Sequence, residues 1–472
     1  MKNAYIKRIF PLLTLILLGS CGKKFLNLSP YNEIPTSGAV TDENSMQVAV
    51  NGMYASLRAV DLFGRSVPID GDLMADNTFI GGQNSNRYLQ EMLWTYIAID
   101  GDQQNMWAEA YNTILRANVI INSKLPSDAV TQQLIGESLT VRALCYFTLV
   151  RFYALPYQTD SSSPGVPIVL TFDPFAKPAR SSVGQVYQQI QSDLNQAITL
   201  LNTAKNTSYV SLPVAQGLLA KVLLTEGAYA AANAESLLVI GSGSYHLTLD
   251  SAALANYWAT TAPRTDGLET LFEVEFDAVD NNGTDNLDAF YDQAGYGDAL
   301  CTDTLWKIYS PTDGRRGLIL PGFRNSQGVF IVNKYSNLQN ANGKDNTKIL
   351  RYAEILLIAA ETYNRTGNDV LGLSYLDTVA KARDNSFAGY TGLTGSNLLN
   401  QIIIERRKEL AFEGDRYWDL VRLGLPVIRD TANTPYLINT PGTLAVSSKA
   451  RIFPIPQAEI NANKNVTQNP GY

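Results

Sequence analysis

Carboxylates are the first residues in this chain with both the type and the spacing to do chemistry. Glu405, Glu409, Glu413, Asp415 and Asp419 fall within one short run, and glycosidic hydrolysis needs only two suitably placed carboxyl groups. The same run carries Arg406, Arg407, Lys408, Arg416 and Arg422. Carboxylates set among so many cations are held ionised, with lowered pKa values, whereas an acid catalyst needs a raised one. The run therefore reads as an ion-pair lattice, with a carboxylate-dependent glycoside hydrolase as the lesser alternative. The chain has one histidine, His246, so a Ser–His–Asp triad has one place to form. H-E-x-x-H, G-x-S-x-G, Walker A and dinucleotide fingerprints do not occur. The Asn/Asp-rich stretch 280–286 fits a calcium loop only if Ala278 takes the first ligand position, so that template fails. The expectation is recognition without turnover: no catalytic residue, no metal and no cofactor.

Recognition of that kind needs flat apolar rings beside polar groups. Tyrosine is overused, with 25 Tyr against 16 Phe, as on surfaces that are both apolar and wet. Sugar rings have apolar faces that lie on aromatic platforms while amides and carboxylates take the hydroxyls. Two stretches outside the helical pattern mix the right residues. The first, 72–96, holds Asp72, Asp76, Asn77, Arg87, Tyr88, Trp94 and Tyr96. The second, 281–324, holds Asn286, Asp288, Tyr291, Tyr296, Trp306 and Arg324. At least two of Tyr88, Trp94, Tyr96, Tyr291, Tyr296 and Trp306 are expected to line one exposed pocket, with Asp76, Asn77, Arg87 and Arg324 as polar partners. Tyr146, Phe147 and Tyr153 recur at helical spacing and read as packing.

The elements that must position these residues are mostly helices. Helical periodicity runs over 43–59, 105–125, 131–154, 182–203, 213–240, 349–366, 369–384 and 397–413. Short turns such as Pro126-Ser127-Asp128 and Thr366-Gly367-Asn368 imply antiparallel helical hairpins. Stretches 219–234 and 353–366 alternate small and large residues in the manner of tetratricopeptide (TPR) repeats. Three segments break the pattern: 61–104, then 242–348 with strand-like runs at Leu271–Phe276 and Val329–Val332, and an extended C-terminal 424–472. A loop-rich stretch of about 100 residues inside a helical protein is usually functional. Cys145 reads as a small core residue and Cys301 as part of a loop; a bond between them is left open.

Charged residues make up 17% and the net charge is −7, against about 25% charged in an average soluble domain. An acidic chain with no basic block excludes nucleic acid as a partner. Lys2, Lys7 and Arg8 precede the apolar run Ile9–Leu18, which at about 15 Å as a helix is half of a membrane span. Residues 1–20 thus read as a signal peptide, and Leu18-Gly19-Ser20-Cys21 resembles a bacterial lipobox with Cys21 as the lipidated first residue after cleavage.

The run Glu405-Arg406-Arg407-Lys408-Glu409-Leu410-Ala411-Phe412-Glu413-Gly414-Asp415-Arg416-Tyr417-Trp418-Asp419-Leu420-Val421-Arg422 resembles the ERR-x-EL-x-x-EG-x-R-x-x-DL-x-R signature of SusD/RagB-family lipoproteins. Arg142-Ala143-Leu144-Cys145-Tyr146-Phe147 and Arg151-Phe152-Tyr153-Ala154-Leu155-Pro156 are similar to a second family motif, with Ala154 where the family often has Gly. Leu350-Arg351-Tyr352-Ala353-Glu354 with Ala360-Glu361, then Phe453-Pro454-Ile455-Pro456 and Gln468-Asn469-Pro470-Gly471-Tyr472, complete the resemblance in order along nearly the whole chain. It implies a mostly α fold: four TPR-like helix pairs in a right-handed stack carrying an irregular ligand-binding subdomain with short strands. On that reading 21–241 and 349–423 are the TPR-like regions and 242–348 is the ligand-binding excursion. The resemblance further implies capture of oligosaccharide, or in some members peptide, over a SusC-like TonB-dependent outer-membrane transporter. It does not transfer any ligand-contacting residue by motif.

Overall fold

The computed structural model describes residues 40–472 apart from 174, 342–343, 433, 435–436 and 438–439. The signal peptide and Cys21 lie outside the described residues.

Local sequence sets where the helices begin and end. Helix α1 (Glu43–Leu57) starts at Asp42, whose carboxylate accepts from the Ser45 amide while the Ser45 hydroxyl faces back to Asp42, a reciprocal cap that satisfies two orphan donors. Helix α2 (Ser66–Leu73), strand β1 (Thr78–Ile80) and helix α3 (Leu89–Leu93) follow. Next come α4 (Gly101–Ile121) and α5 (Ala129–Tyr153), the latter capped by Asp128 and Thr131. Helix α6 (Val183–Leu200) carries a similar box from Ser182 and Gln185. Residues 213–240, expected as one helix, form two: α7 (Leu212–Glu226) and α8 (Tyr229–Gly241). Gly227 separates them at φ +83°, a left-handed position that glycine adopts without a Cβ penalty and that closes the first helix.

The chain then leaves the helical layer through α9 (Ser251–Ala259), β2 (Thr270–Val274), α10 (Leu287–Tyr291), β3 (Ala299–Cys301) and α11 (Asp303–Trp306). Strands β4 (Ile319–Arg324), β5 (Gln327–Val332) and β6 (Thr347–Arg351) complete the excursion. It returns as α12 (Tyr352–Arg365), α13 (Asp369–Arg383), α14 (Gly395–Glu409) and α15 (Arg416–Arg422), then β7 (Val427–Ile428), β8 (Thr443–Leu444) and α16 (Gln457–Ala462). Consecutive helices α4 to α8 pack neighbour on neighbour, and α12 packs on α8 and then α13, so the stack resumes where the excursion interrupted it. The fold is mostly α with a few short strands, as expected. Regular structure reaches further into the irregular segments than periodicity suggested: α2 and α3 in 61–104, α9 in 242–348. Each is too short to show a sustained period.

Three apolar cores result. One fills the helical stack, a second the loop-rich body and a third the C-terminal helices. The second draws on both irregular segments at once. Ile69, Leu73, Phe79, Tyr88 and Met92 meet Phe290, Tyr291, Leu300 and Tyr335 there. Strand pairing ties them together: the antiparallel sheet runs β1-β3-β5-β4, with Phe79 opposite Leu300 and Leu300 opposite Ile331. Cys301 sits in β3, not in a loop. Cys145 and Cys301 are free, buried thiols in different cores.

The loop body is held to the helices by one very close approach. A Cβ on Gly71 of α2 would stand 2.0 Å from the Gly414 carbonyl oxygen, and Gly414 itself is at φ +82°. The turn after α14 therefore lies directly on α2.

Candidate ligand-binding surface

The carboxylate run is spent on structure. Glu409 Oε1 accepts from Arg351 Nη1 and Arg383 Nη2, each at 2.9 Å. Its Oε2 accepts from Arg315 Nη1 at 2.9 Å and Arg383 Nε at 3.0 Å. Glu413, beyond the helix end, accepts from Arg351 Nε at 2.7 Å and Lys334 Nζ at 2.6 Å. Asp419 receives Arg406 and Arg422, each Nε at 2.9 Å. Burial would raise the Glu409 and Glu413 carboxyls, but the facing guanidinium groups, joined at Glu413 by the Lys334 ammonium, outweigh it and hold both below the usual carboxylate range. The lattice ties α13, α14 and β6 to the 313–315 turn. Neither carboxyl is poised to give up a proton near neutrality.

Four of the six candidate rings of the two excursions are inside. Tyr88 is buried; its hydroxyl accepts from Arg65 Nε at 2.8 Å, and its ring meets Phe290 edge-on at 5.1 Å. Trp94 is buried, donating from Nε1 to the Met74 carbonyl at 3.1 Å under the Arg429 guanidinium. Tyr96 is buried, with its hydroxyl on the Ala450 carbonyl and its ring against Phe453. Tyr291 is buried, donating to Asp72 Oδ2 at 2.8 Å and stacked on Tyr335. These placements correct the expectation of an exposed pocket lined by them: none has a free face to offer. The polar tips that suggested a wet surface are satisfied internally, as buried Tyr and Trp tips normally are.

The polar candidates are largely internal too. Asp76 is buried between Arg407 and Arg416, with Arg416 Nε at 2.8 Å; Asn77 Oδ1 accepts from Arg407 Nε at 2.7 Å. Asn286 and Asp288 are buried, and burial first and then the nearby Asp345 charge push Asp288 up to about 7. Arg324 reaches across Gly81 to the carbonyls of Gly297 and Tyr296 and to Asp298.

Two of the six rings stay half-exposed, Tyr296 and Trp306. Strand alternation puts Arg324 and Phe330 on opposite sides of the sheet. On the Arg324 side, Arg324 donates to the Tyr296 carbonyl and Arg87 lies over the Tyr296 ring at 4.2 Å. Trp306 is on the other, stacked on Phe330 of β5 at 4.7 Å and 24°. Phe330 stands opposite Pro321, and Phe323, two residues on along β4, shares that face and is 78% exposed. Trp306, Phe330 and Phe323 thus form the exposed aromatic face of the loop body, of which the sequence reading named only Trp306. Phe323 and Phe330 flank the tight turn at Asn325 and Ser326, both at positive φ, a hairpin signal visible in the chain as FRNSQGVF.

A second concavity lies elsewhere. A cleft of about 740 Å³ opens between α1, residues 208–209, β2 and the 275–280 loop, with Tyr54 edge-on to Tyr209 and Glu275, Asp277 and Asp280 at its rim. None of the expected site residues lines it.

The comparisons with known proteins agree with this architecture. Residues 317–472 match the family described as the SusD family, and residues 24–224 match the one described as starch-binding associating with the outer membrane. SusD-like protein P2 of Formosa agariphila is 27% identical with all of both chains covered, and SusD-like protein P38 of the same organism is 22% identical over 87% of this chain and 90% of its own. A crystal structure of a SusD superfamily protein from Bacteroides vulgatus superposes with a TM-score of 0.84 at 26% identity, covering 92% of this chain and 100% of that one. Another from Bacteroides thetaiotaomicron gives 0.82 at 26%, covering 91% and 100%. The chain belongs to the SusD-like family.

Proposed function

We propose that this chain is a lipid-anchored, non-catalytic surface protein that captures oligosaccharide and delivers it to a SusC-like TonB-dependent outer-membrane transporter. Membership of a family described as starch-binding and outer-membrane-associated is the observation that carries the proposal. The exposed Phe323–Phe330–Trp306 face is where its ligand lies, with Arg87, Tyr296 and Arg324 on the reverse of the sheet as a second contact. The binding test uses protein lacking residues 1–21 on a glycan array beside a peptide array. Oligosaccharide binding that weakens by about 1–3 kcal/mol in Phe323→Ala or Trp306→Ala, with the bound sugar recovered intact, is the expected result. Peptide binding alone would replace sugar with a peptide ligand. Unchanged binding in both variants with loss in Tyr209→Ala would move the site to the 740 Å³ cleft. Release of Cys21→Ser protein from membranes, and co-purification of the wild type with an outer-membrane barrel, test the anchor and the delivery step.

A further inference from the structure

The exposed aromatic face carries a cation that no carboxylate of the described residues neutralises. The 314–318 turn sends two adjacent arginines in opposite directions. Arg315 is buried and pairs with Asp313, Glu405 and Glu409. Arg316 turns outward and lies 4.1 Å over the Trp306 ring. Arg264, Arg315 and Arg324, the other arginines of 242–348, each pair with a carboxylate. Among the described residues Arg316 has no carboxylate within ion-pair distance. Lys307, next to Trp306, has a 62% exposed side chain and pairs with Asp303 of its own helical turn at 3.4 Å. In a chain of net charge −7, this face is locally positive.

The stacking geometry says what such a face can take. Trp306 is sandwiched, with Phe330 against its ring at 4.7 Å and Arg316 over it at 4.1 Å. A neutral sugar could stack on Trp306 only by displacing one of them. A sugar bearing a carboxylate or sulfate need displace neither: its apolar face meets Phe323 and the exposed edge of the stack while its anion takes the guanidinium fork, which suits planar bidentate contact. We infer that the Phe323–Trp306–Arg316 face selects anionic oligosaccharide, uronate or sulfated, over neutral oligosaccharide. The inference rests on the sugar-binding reading above and deepens it.

The experiment titrates wild type, Arg316→Gln, Phe323→Ala and Trp306→Ala with a panel of uronate and sulfated oligosaccharides. Each is paired with its methyl-esterified or desulfated counterpart, at low and high salt, with melting temperatures as the folding control. The expected result is that wild type binds an anionic member at least about tenfold more tightly than its neutral counterpart. Added salt shrinks that ratio, and Arg316→Gln brings it close to one by weakening anionic binding, with the melting temperature unchanged. If neutral sugars bind and weaken in Phe323→Ala and Trp306→Ala, but no anionic preference exists or it survives Arg316→Gln, this inference falls and the sugar-binding reading stands. If no oligosaccharide binds, both fall.

Discussion

Glu409 and Asp72 lie on the two sides of the same close approach, the turn after α14 resting on α2, and are both buried. Their electrostatics are opposite. Glu409 is ringed by Arg315, Arg351 and Arg383 and stays ionised far down the pH scale. Among the described residues Asp72 has no cation in ion-pair contact; burial pushes its carboxyl up to about 8 despite the Tyr291 hydrogen bond. Nearby Asp70 is raised by burial and by the Glu91 charge, and Glu91 is raised to about 7, mainly by burial. One side of the junction holds paired charges, the other carboxyls kept neutral. Buried carboxylates are therefore not one class of interaction here, and the two sides must respond to pH with opposite sign.

The largest effect is expected at the paired side. Glu409→Gln keeps the shape and removes the charge that three guanidinium groups share, leaving buried cations under-compensated, so a loss of about 3–5 kcal/mol is expected. Chemical denaturation at neutral pH measures it. A loss under about 1 kcal/mol would mean that Glu269 and Glu413 neutralise the arginines without it. Because the folded pKa of Glu409 and Glu413 is depressed, their contribution is present above the ordinary carboxylate value and is lost as pH falls through the folded values.

The next effect is a pH slope of the other sign. Asp72 and Glu91 bind a proton in the folded state that the unfolded chain has released above about pH 4, so stability falls as pH rises from there toward 8. Each contributes up to about 1.4 kcal/mol per pH unit in that window. Asp72→Asn removes one proton from the balance. The variant should resemble wild type below about pH 4, exceed it by a margin that grows toward pH 8, and show a flatter profile between. An Asp72→Asn profile parallel to wild type across the window would show that the Asp72 carboxyl is already ionised in the fold.

The two sides were not equally legible in the chain. The lattice could be read because its members are contiguous from Glu405 to Arg422 and alternate in sign, so the pairing partners travel together. The helical stack could be read from periodicity, except where Gly227 splits α7 from α8 and where short helices carry too few turns to show a period. The aromatic surface was only half legible. In irregular backbone no periodicity separates inward from outward, and Tyr88 and Trp94, both at φ 56° at the ends of α3, point inward for reasons of local geometry. Tyrosine's polar tip suggested water, while in the fold Arg65, Ser66 and Asp72 supply it with partners. Phe323, the most exposed ring of the face, has no polar tip to mark it in the sequence, although the turn at Asn325-Ser326 marks it as a hairpin-end residue.

The smallest effect tests whether Tyr291 mediates between Asp72 and the aromatic core. Tyr291→Phe removes the 2.8 Å hydrogen bond to Asp72 Oδ2 and keeps the ring stacked on Tyr335 at 5.5 Å and 17°. Among the described residues Tyr291 is the side-chain donor to this carboxyl, so the variant removes it. A hydrogen bond to an ionised group contributes about 1.5–3 kcal/mol and one between neutral groups about 0.5–1.5 kcal/mol. Burial holds the Tyr291 phenol well above its ordinary value, so it remains a donor at pH 9. The cost of Tyr291→Phe should therefore sit in the lower range at pH 5, where Asp72 is neutral, and in the upper range at pH 9, where it is ionised. Denaturation of both proteins at the two pH values reads the difference directly. A cost independent of pH would show that the phenol serves packing alone and that Asp72 titrates without it.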